Sequence, residues 1–322
     1  MKDLVQNKMN ELGRKREPFF FCIDFEMLKP FVIPLDEIDP SILLFHFPAK
    51  TNFSAQMQKH REINLVKKPI AFTEYQQAFQ KVRQELRHGN SYLLNLTFPT
   101  EIDVNASLPE IFSMADAPYK VWYRDEFTFF SPETFIRIRN GKIYTHPMKG
   151  TIDASTENAE NKLLKDKKEL AEHFTIVDLL RNDLAMISAN VKVDRFRYLS
   201  YIKTHEKQLI QMSSEISGEP GKNFHQRLGD LIFTLLPAGS VSGAPKQKTV
   251  EIIRAVEKND RGWFTGVCGI FDGNELDSCV MIRFIEKKNG RHFYRSGGGI
   301  TVNSSAKKEY RELIDKVYVP VA

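Results

Sequence analysis

The stretch FTGVCGIFDGNELDSCVMIRFIEKKNGRHFYRS, residues 264–296, decides the fold class. Its runs rich in strand-forming residues, 264–271, 276–285 and 291–296, are separated by Asp272-Gly273 and Asn289-Gly290, dipeptides that take the left-handed conformations a tight hairpin needs. Two-residue turns join antiparallel neighbours, because parallel ones need a crossover of a dozen residues or more. An antiparallel meander is therefore expected, followed by a glycine triplet, Gly297 to Gly299, and a closing helix. The triplet reads either as a turn or bulge, or as backbone bare enough to run close to a ligand.

Working outward, residues 134–147 alternate around Asn140-Gly141, a further hairpin signal that sets Lys149 just past a strand end. Residues 157–188 read as one helix with a core-facing stripe of Leu170, Phe174, Val177, Leu180 and Leu184, which brings Glu172 and Asp183 to nearly the same side. Residues 73–88 form another: Tyr75, Ala78, Phe79, Val82 and Leu86 keep the period, Thr73 and Gln76 match a capping box, and Gly89 supplies the stop. Strands are expected at 19–25, 42–47 and 191–202, and helices at 224–236 and from Pro245 to about 258. Hairpins alternating with long helices, without regular strand-helix-strand units, give an α+β fold built on antiparallel sheets. No repeat, low-complexity tract or long linker divides the chain, so residues 1–322 are expected to form a single domain, with any boundary near 67–69.

At 322 residues and 42% hydrophobic content the chain can bury a large core. The net charge of +5 is spread, with basic residues such as those at 165–168 flanked by acids, which suits a small anionic partner and offers no dedicated nucleic-acid surface. Cys22, Cys268 and Cys279 lack CxxC spacing, which argues against a disulfide framework or structural zinc and for the cytoplasm. No apolar run approaches the roughly 20 residues that cross a bilayer. Residues 1–18 have no signal-peptide core, so neither a membrane partner nor export is expected.

GSVSGAPK, residues 239–246, leaves backbone N–H groups ahead of a helix, an arrangement that binds an anion or simply turns the chain. It is not a Walker loop, because Ala244 and Pro245 separate Gly243 from Lys246. Glu172 and Glu309 lie far apart, and each alone reads as a solvated helix carboxylate; a magnesium ion nevertheless needs only one or two protein carboxylates. Lys149, in HPMKGT at 146–151, reads alone as a surface lysine, or as a nucleophile if desolvation or neighbouring cations lower its pKa.

Taken in order, YLLNLT (92–97), SPETF (131–135), PMKGT (147–151), AEHFTIVDLLRND (171–183), GSVSGAPK (239–246), Arg261-Gly262, Ile282-Arg283 and GGGI (297–300) leading to Glu309 resemble the chorismate-utilising enzymes. That family includes anthranilate, aminodeoxychorismate, isochorismate and salicylate synthases. The resemblance covers residues 69–320, leaving 1–68 as a short N-terminal portion. It implies two antiparallel sheets packed face to face, helices outside, and a buried chorismate cleft. It also implies that Glu172 and Glu309 hold Mg2+ against the ring carboxylate, that Glu133 protonates the departing C4 hydroxyl, and that Arg283 binds a substrate carboxylate. Gly150, Thr151, Phe264, Gly297, Gly298 and Gly299 match substrate-holding positions.

Lys149 separates the branches. Anthranilate and isochorismate synthases usually have Ala there, whereas Pro-Met-Lys-Gly-Thr resembles the lysine-type aminodeoxychorismate synthases, in which the lysine attacks C2 of chorismate. The resemblance thus implies the synthase component, making 4-amino-4-deoxychorismate for 4-aminobenzoate and folate from chorismate and ammonia supplied by a separate glutamine amidotransferase subunit. The match leaves no room for a glutaminase or lyase domain in these residues. Leu93 stands where isochorismate and salicylate synthases carry a lysine base, Gln208 replaces an expected His, Phe264 a frequent Tyr, and the Leu-Leu-Glu-Ser motif of tryptophan feedback is missing. Two alternatives remain: an anthranilate synthase component I, told apart by its product, and a non-catalytic anion- or nucleic-acid-binding protein, suggested by the pI of about 8.9 and betrayed by steep salt dependence.

Overall fold

A computed structural model of the chain describes residues 1–54, 62–203 and 208–320. Its contacts gather into two compact units interleaved in sequence: Met1–Asp36, Glu133–Ser240 and Val267–Val280 in the first, Glu37–Pro132, Val241–Gly266 and Met281–Ala322 in the second. Each unit holds one antiparallel sheet with helices around it, the α+β architecture expected from the hairpin signals.

In the first unit the sheet runs, in spatial order, Met148–Asp153, Gln208–Glu219, Lys142–Thr145, Thr134–Arg139, Leu276–Val280, Val267–Phe271, Phe19–Ile23 and Phe31–Pro34, with Ala189–Lys203 also paired to Gln208–Glu219. The Asn140-Gly141 hairpin forms as expected, both residues having positive φ of 50° and 73°. The segment 157–188 is two helices rather than one, Ala159–Lys165 and Lys167–Ala185. The break is at Asp166, whose extended backbone ends the first helix and whose carboxylate accepts the Glu169 N–H of the second at 3.1 Å. Short polar side chains compete in this way with the intrahelical ladder. The buried face of the second helix also differs from the expected stripe: Phe174 is 54% exposed, while His173 and Ile176 are buried beside Val177 and Leu184. The helix packs on the strands Met148–Asp153, Ala189–Lys203 and Gln208–Glu219, whose Ile210 and Met212 form an apolar cluster with Ala159 and Leu163. Cys22, Cys268 and Cys279 face one another across three strands as buried thiols.

The second sheet runs Gly243–Ala244, Leu93–Val104, Arg291–Ile300, Phe284–Lys288, Phe127–Ser131, Tyr119–Tyr123, Leu43–Phe47 and Lys50–Thr51, with Leu65–Lys68 paired to Leu93–Val104. The helices Phe72–Arg87 and Ala306–Asp315 pack against one another and against this sheet, and Leu108–Met114 closes a core of Ile102, Leu108, Ile111, Phe130, Ile285 and Tyr294. Helix Phe72–Arg87 is capped by Ala71, so Thr73 lies inside it and the expected capping box does not form. A capping box forms instead at Ser107, whose N–H donates to Glu110 Oε2 at 2.7 Å.

The deciding stretch folds as two hairpins, not one meander. The run 276–285 splits into Leu276–Val280 of the first sheet and Phe284–Lys288 of the second. Arg283, at φ 53°, makes the bend between them, an uncommon conformation for a residue with a Cβ and one that points to a local requirement. Among the described residues no helix is long and apolar enough to cross a membrane.

Candidate functional site

Each unit carries its own share of the expected residues. In the first, the link Pro132–Glu133 precedes the strand Thr134–Arg139 and is pinned by the Val280 N–H, which donates to the Glu133 carbonyl at 3.1 Å. The half-buried Glu133 carboxylate lines a small pocket with His146, Leu180, Asp183, Ala238 and Ser240, and its Oε1 accepts a short hydrogen bond from the Ser240 hydroxyl. Asp183 is buried, and Gly239 keeps room for it: a Cβ there would stand 2.7 Å from Asp183 Oδ2.

Lys149 does not follow a strand end; it lies within the strand Met148–Asp153, at a bulge. Met148 faces Ser213 and Thr151 faces Gln211, so Lys149 and Gly150 hold the extra residue. Bulges of this kind re-aim a side chain, and Gly150 serves the purpose at φ 83°, where a Cβ would stand 2.9 Å from Leu163 Cδ1 and 3.1 Å from Glu169 Oε2. The Thr151 backbone continues the pairing, while its side chain lies outside the described residues. Half-buried Lys149 is close to His173, whose imidazole is buried and depressed to a pKa of about 4 by burial first, then by the charges of Arg197 and Lys149. A neutral imidazole results, with Nε2 2.7 Å from Ser214 Oγ, the atom that also accepts the Arg197 N–H at 2.9 Å. Glu172, the neighbour of His173 on the helix Lys167–Ala185, is half-buried, one turn beyond Glu169.

In the second unit the glycine triplet is neither turn nor bulge. Gly297, Gly298 and Gly299 continue the strand Arg291–Ile300, facing Thr97, Leu96 and Asn95. The carboxylates of Glu309 and Glu312, one turn apart on Ala306–Asp315, come up to this strand: a Cβ on Gly298 would stand 3.3 Å from Glu312 Oε1 and 3.7 Å from Glu309 Oε2. Glu309 is 3% exposed, and after burial its charge and that of Glu312 are what push the Tyr75 phenol up. Lys316 ties Glu312, at 2.6 Å, to the Gly297 carbonyl, at 2.8 Å. Both units thus bring a helix carboxylate against a glycine on an adjoining strand, Glu169 at Gly150 and Glu309 with Glu312 at Gly298. Among the described residues no three His, Cys, Asp or Glu side chains gather as a metal cluster.

The remaining expected residues have other surroundings. Arg283 lays its guanidinium over the Tyr318 ring at 5.1 Å. Phe264 is 3% exposed, packed on Phe284 at 6.1 Å and beneath the Arg295 guanidinium at 5.6 Å, so its ring is committed to the core. Leu93 is buried and Gln208 exposed. Sequence reading missed His173, Ser214, Arg197 and Ser240. His173 meets Ser214 where the helix Lys167–Ala185 packs on the paired strands that carry Ser214 and Arg197, and Ser240 reaches Glu133 across more than a hundred residues, so no local spacing signals these contacts.

Three comparisons bear on this arrangement. A family model described as chorismate binding enzyme matches residues 36–322. A protein of Haemophilus influenzae described as an uncharacterised PabA-like protein is 49% identical over 312 residues, covering 97% of this chain and 95% of that one. Aminodeoxychorismate synthase component 1 of Bacillus subtilis is 30% identical over 264 residues, covering 77% of this chain and 55% of that protein. The crystal structure of anthranilate synthase component I from Streptococcus pneumoniae superposes with a TM-score of 0.67 at 26% identity, covering 79% of this chain and 58% of that one. The chain therefore spans little more than half the length of these two synthases.

Proposed function

The chain belongs to the chorismate-binding enzyme family, and from that premise we propose that it aminates chorismate at C4, as the synthase component of an aminodeoxychorismate synthase. The observation that carries the reading is Lys149, set in a bulge and close enough to a buried imidazole to help keep it neutral. A bulge re-aims the side chain it carries, and a lysine aimed in this way beside a buried imidazole is placed as an amine nucleophile would be.

In this reading the unprotonated Lys149 amine forms a bond to C2 of chorismate and gives up a proton to solvent, while both ring double bonds shift and the C4–O bond breaks. Glu133 gives its proton to the departing oxygen, which leaves as water; general acid catalysis of such a step is worth about 10² to 10⁴ in rate. Ammonia then bonds to C4 and gives up a proton, both double bonds shift back, and the C2–N bond breaks as the Lys149 nitrogen takes up a proton, returning the amine. Arg283 binds a substrate carboxylate and the bare strand at Gly297 to Gly299 lets the ring lie close to backbone. Magnesium, which Glu172 and Glu309 would hold, supplies neutralisation of the ring carboxylate when bound. A separate glutamine amidotransferase supplies the ammonia, as the numbering of the Bacillus subtilis relative as component 1 suggests.

The test is the product formed by the full chain from chorismate, magnesium chloride and ammonium chloride. Mass spectrometry showing 4-amino-4-deoxychorismate supports the reading. Fluorescent 2-aminobenzoate would assign the chain to the anthranilate branch, and unchanged chorismate would remove the amination reading altogether.

A further inference from the structure

The geometry points to Ser240 as the residue that positions the Glu133 carboxyl for proton donation, an inference that rests on the acid role proposed for Glu133. Ser240 belongs to the motif GSVSGAPK, in which the sequence alone leaves phosphate-type anion binding open. In the folded first unit its hydroxyl donates instead to Glu133 Oε1. The contact joins two segments that the chain keeps far apart, the link ahead of strand Thr134–Arg139 and the end of Glu133–Ser240. It is made in a pocket walled by Leu180, Leu184 and Leu235 on its apolar side and by His146 and Asp183 on its polar side.

A carboxyl on a half-buried glutamate turns freely about its last torsion unless one oxygen is held. Ser240 holds Oε1, and this fixes the plane from which the proton is delivered. Misplacement of a reacting group by about 1 Å costs on the order of 10²-fold in rate, which sets the scale of the effect. The bond has a second consequence. A hydroxyl donor binds an ionised carboxylate more strongly than the neutral acid, which makes the titration of Glu133 a second readout of the contact. The other titratable groups facing Glu133 are Asp183 from the helix Lys167–Ala185, His146 from the link before Met148–Asp153, and Cys279 from Leu276–Val280.

The test compares the full-length protein with Ser240→Ala and Ser240→Thr. Chorismate turnover with magnesium and ammonium is measured across pH, and the Glu133 carboxyl is titrated by 13C NMR without substrate. Ser240→Ala is expected to lose on the order of 10²-fold in kcat with KM for chorismate nearly unchanged. The alkaline limb of its kcat/KM profile should move to higher pH, with the 13C titration midpoint of Glu133 moving the same way. Ser240→Thr keeps a hydroxyl and should recover both. Wild-type kcat and an unmoved midpoint in Ser240→Ala would overturn the inference, as would a threonine variant impaired like the alanine one. If the wild-type chain leaves chorismate unchanged while the midpoint still moves, the amination reading falls and the Ser240 contact stands.

Discussion

Arg261 and Glu257 form a buried ion pair, Nη2 to Oε1 at 2.7 Å, with side chains 1% and 6% exposed. The pair is closed by further bonds: Arg261 Nε donates to Glu257 Oε2 at 2.9 Å, its Nη groups donate to the carbonyls of Val241 and Asn95, and the Thr97 N–H donates to Glu257 Oε1 at 2.9 Å. It fastens the motif loop at Val241 to the strand Leu93–Val104. Removing one partner of such a pair leaves a buried charge unpaired and costs about 3–5 kcal/mol. Glu257→Ala should therefore lower the unfolding free energy in urea by that amount, and a loss below about 1 kcal/mol would show that the pair is not a stability element.

Five histidines, His46, His146, His173, His225 and His292, have pKa values lowered from the ordinary value, burial being the first cause for each. Their folded pKa values lie below their unfolded ones, so the unfolded chain binds more protons as pH falls below about 6.5. Stability is then present above that pH and is lost as pH falls through the window beneath it. The carboxylates lowered by their partners, such as Glu11 and Asp194, act in the same direction, since their contribution is also lost as pH falls. Urea midpoints at pH 7.5 should exceed those at pH 5.5; equal midpoints would show that these imidazoles are not held neutral by the fold.

The turns were legible because their chemistry is local: Asn140-Gly141 and Asn289-Gly290 specify left-handed pairs, and both hairpins form. Helix Phe72–Arg87 was legible from its apolar period, although its cap was not. What escaped is non-local. Nothing in residues 276–285 announces that the chain leaves one sheet for another at Arg283, since apolar residues on both sides suit a strand equally well. The bulge at Lys149 is set by the register against Ser213 and Gln211, which only pairing decides. The motif residues Lys149, Glu133 and Glu309 were located by resemblance, whereas the side chains around them, His173, Ser240 and Glu312, became visible once strands and helices brought them together.

Glu309 is a buried carboxylate facing a glycine strand, and the proposed metal role makes it sensitive to charge removal. Glu309→Gln and Glu172→Gln should each lose most chorismate turnover, and excess chelator should abolish it in the wild type until magnesium is restored. Full turnover in excess chelator would contradict the assignment.

Glu133→Gln keeps the shape of the side chain and the Ser240 contact while removing the proton. kcat should fall by about 10² or more with chorismate binding nearly intact. A large rise in KM at unchanged kcat would make Glu133 a binding residue instead.

Gly150 gives the bulge its shape at φ 83°, with Leu163 Cδ1 and Glu169 Oε2 against the position a Cβ would take. Gly150→Ala should therefore shift the Lys149 backbone and reduce turnover strongly, at a strain cost of about 1–3 kcal/mol in stability. Normal turnover and stability would show that the bulge tolerates a side chain.

The central claim is that the Lys149 amine bonds to chorismate. The full-length protein is incubated with chorismate and magnesium in the absence of ammonia, then digested and mapped by mass spectrometry. The account predicts the mass of dehydrated chorismate on the peptide carrying Lys149, discharged by ammonium and missing in Lys149→Ala. An adduct on another residue, or none at all together with normal 4-amino product from Lys149→Ala, would contradict it.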